Sequence, residues 1–150
     1  MLSEVQALVC PTSFGMPRRT ATGFDYNRVN LLVAVLEKRV GLNLQNQDIY
    51  VNIIGGIRLD EPAVDLAVCA AICSSFRNFP IPENTAIVGE VGLTGELRAI
   101  NHIEKRVAET AKLGFKNIII PKANLLGITQ KNDINIIGAA NVTEALGTLM

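Results

Sequence analysis

The sequence predicts one α/β (α+β) domain over residues 1–150, a mixed sheet with packed helices. Three observations predict it. Strand-like and helix-like segments alternate along the chain, several helices carry recognisable start and stop residues, and the composition is that of a packed core. Hydrophobic residues make up 49% of the 150 and charged residues 19%, a globular balance at an ordinary single-domain length. No internal repeat, low-complexity tract or linker divides the chain.

Val5 to Cys10 is β-rich and stops at Pro11, a first strand; residues 11–16 form a loop. Arg18 to Phe24 alternates in polarity and predicts a second strand. Asp25 then precedes Tyr26 to Val40, where Val29, Leu32, Val33 and Leu36 recur at helical spacing and Gly41 closes the helix. Asp48 to Ile54 is a strand broken by Gly55-Gly56. Asp60-Glu61-Pro62 has the order of an N-cap and first turn, and the helix from Pro62 to about Arg77 is apolar almost all round, hence buried. Ala86–Leu93 and Glu96–Ile100, joined by Thr94-Gly95, read as a hairpin. Asn101 is the expected N-cap of a helix, with Glu104 completing a capping-box-like pattern, and that helix runs from there to Leu113. Lys116–Ile120 and Ile134–Ile137 are strands, and Asn141 caps a final helix, Val142–Leu149.

Composition excludes several classes of function. No apolar run is long enough to cross a bilayer, and the amino terminus has no basic segment of a secretory signal. Cys10, Cys69 and Cys73 are odd in number, sit in apolar segments and form no CxxC pair, so they read as small buried hydrophobes of a reduced, cytoplasmic protein. His102 is the only histidine, and no metal site is expected. Net charge is zero, from 14 basic and 14 acidic residues, so bulk electrostatics announce no nucleic-acid partner. The absence of tryptophan argues against an aromatic platform for single strands. The common nucleotide-binding, zinc-protease and serine-hydrolase motifs are missing, and Asp60 and Glu61 would repel a phosphate from the helix that comes after Gly55-Gly56.

From Asp48 to Asn124 the chain resembles the proteolytic domain of Lon peptidases, with weaker agreement back to Thr20. The pieces are DIYVNI, EPAVDLAVCAAICSS, GEVGLTGELRAI and KLGFKNIIIPKAN. The resemblance implies a Lon proteolytic-domain-like fold and a serine–lysine dyad. Pro62, Gly89, Glu90, Leu93 and Gly95 match the family's pattern, but Ala63 stands at the nucleophile's position and Arg106 at that of the lysine. Ala63 has no nucleophilic atom, and Arg106 stays protonated and cannot serve as a base. Lys105 lies about 100° away around the helix and is expected to point elsewhere.

A resemblance that covers nearly the whole chain accounts for both losses. The run VQALVCPTSFGMPRRTATGFDYNRVNLLVAVLEKRVGL, with GGIRLDEPAVDLA and GEVGLTGELR, is similar to the C-terminal Lon-like domain of the bacterial DNA-repair RadA (Sms) family. The resemblance implies a RecA-related ATPase that binds DNA and processes recombination intermediates by branch migration. It also implies a four-cysteine zinc finger and a P-loop ATPase ahead of this domain. ATP, magnesium and zinc are therefore expected only for those domains, no cofactor is expected here, and the chain reads as an excised fragment. Its implied partners are duplex DNA, further copies in a six-membered ring, and the RecA recombinase through the full-length protein, with no membrane.

The candidate DNA contacts are Arg18, Arg19, Arg28, Arg58 and Arg98. Arg18 and Arg19 end a loop, Arg28 opens a helix against the macrodipole, Arg58 comes after Gly55-Gly56, and Arg98 comes after the hairpin turn. Each reads equally as a solvated or salt-bridged arginine. Three functions compete: a DNA-gripping, ring-forming module; a purely structural oligomerisation domain; and a peptidase using Ser74 or Ser75, which lie near a helix end with no base at dyad spacing.

Overall fold

The computed structural model describes residues 2–13, 15–56, 61–129 and 132–150. Two three-stranded sheets and a small hairpin enclose a buried helix. The first sheet has the order β1-β3-β2, from β1 (Glu4–Pro11), β2 (Arg19–Thr22) and β3 (Gln47–Ile54), with β3 antiparallel to β1 and parallel to β2. Period-two alternation turns Val5, Ala7 and Val9, with Ile49, Val51 and Ile53, toward the core. Parallel neighbours need a crossover, and α1 (Tyr26–Val35) supplies it between β2 and β3. Gly23 makes the entry to α1 possible: its φ is +79°, and an added Cβ would lie 2.4 Å from the Ile53 carbonyl oxygen.

Asp25 caps α1 by accepting from the Asn27 N–H at 3.2 Å. The α-helix stops at Val35, short of the expected Val40, and continues as one π turn over Leu36–Val40. Gly41 N–H donates to the Leu36 carbonyl at 3.0 Å, spanning five residues. The wider turn keeps Leu36 fully buried while Lys38 and Arg39 face solvent.

The second sheet is parallel, ordered β4-β7-β8, from β4 (Thr85–Ile87), β7 (Asn117–Pro121) and β8 (Asn135–Ala139). Central β7 carries Ile118, Ile119 and Ile120, all buried, because both faces of the sheet are covered. One long strand from Ala86 to Leu93 does not form. The chain divides at Gly89, whose N–H donates to the Ala63 carbonyl at 2.9 Å and whose carbonyl accepts from Leu66 N–H at 3.0 Å. Those bonds pull the chain out of the sheet after β4. The residues beyond Gly89 make a separate hairpin of β5 (Glu90–Val91) and β6 (Leu97–Arg98), which ends before the expected Ile100. Asn124 fixes Ile100 instead, accepting from its N–H and donating to its carbonyl, each at 3.0 Å.

The helix expected from Pro62 begins as a single 3-10 turn, Pro62–Val64, and becomes α2 (Asp65–Arg77). Glu61 caps it, accepting from the Ala63 N–H at 3.3 Å; Asp60 lies outside the described residues. Leu66, Val68, Cys69, Ala70, Ile72 and Cys73 are buried, as the all-round apolar sequence requires. Burial also pushes the Cys69 and Cys73 thiols up, which keeps them neutral. Helix α3 (Ile103–Lys112) starts one residue later than expected, on His102 at φ +60° with no side-chain cap. Arg106 Nε donates to the Asn101 carbonyl at 2.8 Å, which fixes that peptide as the turn before the helix. The last helix, α4 (Val142–Leu149), has the expected cap: Asn141 accepts from the Glu144 N–H at 2.8 Å.

One ion pair ties these parts together. Asp65 has no solvent exposure; it accepts from Arg28 Nε at 3.0 Å, from Arg28 Nη2, and from the Val91 N–H at 3.0 Å. Arg28 Nη2 also donates to the Val91 carbonyl at 3.0 Å. Helix α1, helix α2 and the β5–β6 hairpin thus share one clamp. The pairing with Asp65 raises the Arg28 pKa still further. The hairpin carries its own lock. Glu96 accepts from the Thr94 hydroxyl at 2.6 Å and the Thr94 N–H at 3.1 Å, which holds its carboxyl down at about 2.

Asp65→Ala strands Arg28 and is expected to lower stability by about 3 kcal/mol, because a part-buried charge loses its partner. An Asp65→Leu/Arg28→Met double variant should recover part of that loss. Urea denaturation with an unchanged slope is the readout. A second expectation concerns pH. The folded pKa of Glu96 lies below its unfolded value, so its stabilising contribution is present above the ordinary carboxylate range and fades as pH falls toward about 2. Thr94→Val should raise the Glu96 pKa toward 4.5 in a carboxyl NMR titration; an unmoved value would show that the hydroxyl contributes nothing.

Candidate functional site

Ala63 and Arg106, assigned from sequence to the two halves of a lost dyad, line one open cleft of about 730 Å³. Ala63 is buried in the 3-10 turn that leads into α2, and Arg106 projects from the first turns of α3. Glu61 joins them: its Oε1 accepts from the Ala63 N–H at 3.3 Å and from Arg106 Nη2 at 3.5 Å. The second anchor of Arg106 is the Asn101 carbonyl. Neither a methyl group nor a doubly anchored guanidinium can take a proton from a nucleophile. Lys105, expected to point away, also borders this cleft, because the opening is wide enough to take in the next residue around α3.

The two serines are otherwise engaged. Ser74 Oγ donates to the Phe79 carbonyl at 2.5 Å, and Ser75 Oγ accepts from the Val9 N–H at 2.9 Å, tying α2 to β1. Neither lines the cleft.

The arginines separate into anchored and free groups. Arg19 is half-buried, and its guanidinium donates to the carbonyls of Gln47 at 2.5 Å and Leu44 at 3.3 Å. Arg28 belongs to the Asp65 clamp. Arg18 is exposed; its backbone N–H donates to Asp48 Oδ1 at 2.8 Å, and that bond, with one from the Thr12 hydroxyl, holds the Asp48 carboxyl down. The Arg98 side chain is 60% exposed and reaches Glu96 only at 3.4 Å. Arg58 lies outside the described residues.

Arg28 and Arg98 border a second cleft of about 390 Å³ together with Asp25, Glu61, Asp65 and Glu90. Arg19 sits at the opposite end of β2, beside Gln47 and Leu44, so the length of the strand separates it from Arg28. A further cation was missed. Arg39 is exposed on the π turn, and a Cβ added at Gly95 would come 3.3 Å from Arg39 Cβ, so it lies against the turn of the hairpin that carries Arg98. The adjacent Lys38-Arg39 pair in the π turn after α1 was the available signal.

Among the described residues no group of three or more His, Cys, Asp or Glu side chains is placed to hold a metal ion. No helix among them is long and apolar enough to cross a membrane.

Similarity to other proteins bears on this arrangement. The chain is 62% identical over 148 residues to the DNA repair protein RadA of Bacillus subtilis, covering 99% of this chain and 32% of that protein. It is 58% identical over 146 residues to the DNA repair protein RadA of Halalkalibacterium halodurans, covering 97% of this chain and 32% of the relative. For the DNA repair protein RadA of Streptococcus pneumoniae the identity is 55% over 146 residues, with 97% and 35% covered. The chain thus spans about a third of the length of the curated relatives it matches. A family model described as subunit ChlI of Mg-chelatase matches residues 12–124, a span that includes both Ala63 and Arg106, and the chain belongs to that family.

Proposed function

We propose that this chain is the non-proteolytic, Lon-like module of a RadA-type DNA repair ATPase, supporting ring assembly and gripping duplex DNA while recombination intermediates are processed by branch migration. The observation that carries the proposal is the Ala63–Glu61–Arg106 arrangement: a cleft at the dyad positions with neither a nucleophile nor a base. The names of the relatives supply the DNA-repair context. ATP hydrolysis, with its magnesium, and zinc binding are assigned to other parts of the full-length cytoplasmic protein. Contact with the RecA recombinase is likewise assigned to the assembled protein.

Of the arginines, Arg18 and Arg98 have the freest heads, and Arg39 lies against the turn of the hairpin that carries Arg98. These three are the proposed phosphate contacts. Arg19 and Arg28 spend their hydrogen bonds inside the fold, which favours a scaffold role for them. Contact of this kind adds affinity without base preference, as suits a protein that acts on any sequence. A ring multiplies it by presenting the same few charges repeatedly to one duplex.

In the full-length protein, Arg18→Ala and Arg98→Ala should each weaken duplex binding alike across sequences and reduce the salt slope by about one counterion. Arg19→Ala should lower stability at least as much as it lowers affinity. Wild-type affinity and slope in both Arg18→Ala and Arg98→Ala would make the domain a structural oligomerisation module. Sedimentation of the full-length protein should show a hexamer, and a monomer at high concentration would remove the ring. No peptide hydrolysis is expected from the purified chain; turnover abolished by Ser74→Ala or Ser75→Ala would restore the peptidase reading.

A further inference from the structure

The connection between β1 and β2 carries Arg18, and one carboxylate closes both of its ends. Asp48 stands near the start of β3, and its Oδ1 accepts from the Thr12 hydroxyl and from the Arg18 N–H, each at 2.8 Å. Thr12 lies just past β1 and Arg18 just ahead of β2, so the two bonds reach one oxygen from opposite ends of the connection. Two backbone bonds run beside them: Thr12 N–H donates to the Asn46 carbonyl and Ile49 N–H to the Arg18 carbonyl, each at 2.9 Å. Both peptide groups of Arg18 are thus engaged by β3 while the residue itself is exposed. Pro17 before it has a locked φ, and the Arg19 guanidinium after it is bonded to the Gln47 and Leu44 carbonyls. The Arg18 head extends from a fixed base.

Charge and geometry give Asp48 opposite effects on an anion held by Arg18. The bonds from the Arg18 N–H and the Thr12 hydroxyl hold its carboxyl below the usual carboxylate range, so it is ionised at neutral pH. A negative charge beside a phosphate contact repels the phosphate. On charge alone, Asp48 weakens the attraction that Arg18 supplies. An arginine on a loose loop, however, loses backbone freedom when it docks, and here that freedom is already removed.

We propose that Asp48 is a positioning residue for duplex binding, which touches no DNA and acts by fixing the peptide from which the Arg18 guanidinium reaches a phosphate. The inference rests on the assignment of Arg18 as a phosphate contact and adds the group that holds it in place.

The test is a salt titration of duplex affinity, by fluorescence anisotropy, on variants of the full-length protein. Asp48→Ala removes both the acceptor and the charge, and should weaken binding about fivefold without reducing the salt slope, because preorganisation and not a counterion is lost. Asp48→Asn keeps an oxygen at the Oδ1 position and removes only the charge, and should bind at least as tightly as wild type. Thr12→Val removes one of the two bonds and no charge, and should weaken binding about twofold. In an Arg18→Ala background, Asp48→Ala should have no further effect. Circular dichroism and the urea midpoint report folding, and if Asp48→Ala does not fold, wild-type affinity in Thr12→Val overturns the proposal. Wild-type or tighter binding by folded Asp48→Ala, an Asp48→Asn variant as weak as Asp48→Ala, or a full Asp48→Ala effect without Arg18 would each overturn it as well. Wild-type affinity and slope in Arg18→Ala would remove the phosphate contact and this proposal together. A weakened Arg18→Ala beside an unweakened Asp48→Ala would remove the positioning role alone.

Discussion

A carboxylate with no access to water must be compensated where it stands, and Asp65 is such a group. The clamp around it joins three separate stretches of chain. Arg28 arrives from the start of α1, Val91 supplies both its N–H and its carbonyl from the hairpin, and Asp65 opens α2. The arrangement sets where α2 begins and how the hairpin leans on α1. Because the 3-10 turn with Ala63 leads directly into Asp65, the clamp also positions the cleft. Gly89 adds a second tether, bonding Ala63 and Leu66 on either side of that junction. A displaced Asp65 would shift the Glu61–Arg106 bridge and the exit of β4 together.

Much of the fold was legible in local sequence. Strands β1, β2, β3 and β7 arise from β-rich runs that end at proline or glycine, β8 from the run Ile134–Ile137, and Asn141 caps α4 as expected. The features that failed were decided by side-chain and backbone partners, most of them distant in sequence. The split of residues 86–93 depends on Gly89 reaching Ala63 and Leu66, which no local pattern encodes. The shift from Asn101 to His102 at the start of α3 comes from Arg106 folding back on the Asn101 carbonyl. Arg28 looked out of place at a helix start because its compensating carboxylate lies 37 residues away in sequence.

The site was legible to a similar depth. The resemblance put Ala63 and Arg106 at the two dyad positions, whereas the cleft they share and the bridge through Glu61 needed the packed chain. Zero net charge concealed an uneven distribution. Carboxylates outnumber permanent cations along the larger cleft, while Arg18, Arg39 and Arg98 extend into solvent from the opposite end of the first sheet, the π turn and the hairpin. Local placement, not the total, decides which surface attracts a polyanion.

The central claim is that a domain without peptidase chemistry grips duplex DNA through surface arginines while its cleft stays clear of the nucleic acid. A cryo-electron microscopy reconstruction of the full-length protein assembled on duplex DNA tests this most directly. The account predicts a closed ring of these domains with the Arg18 and Arg98 guanidinium groups at phosphates and no nucleic acid beside Ala63. A duplex running through the Ala63 cleft, or one that touches neither arginine, would contradict it.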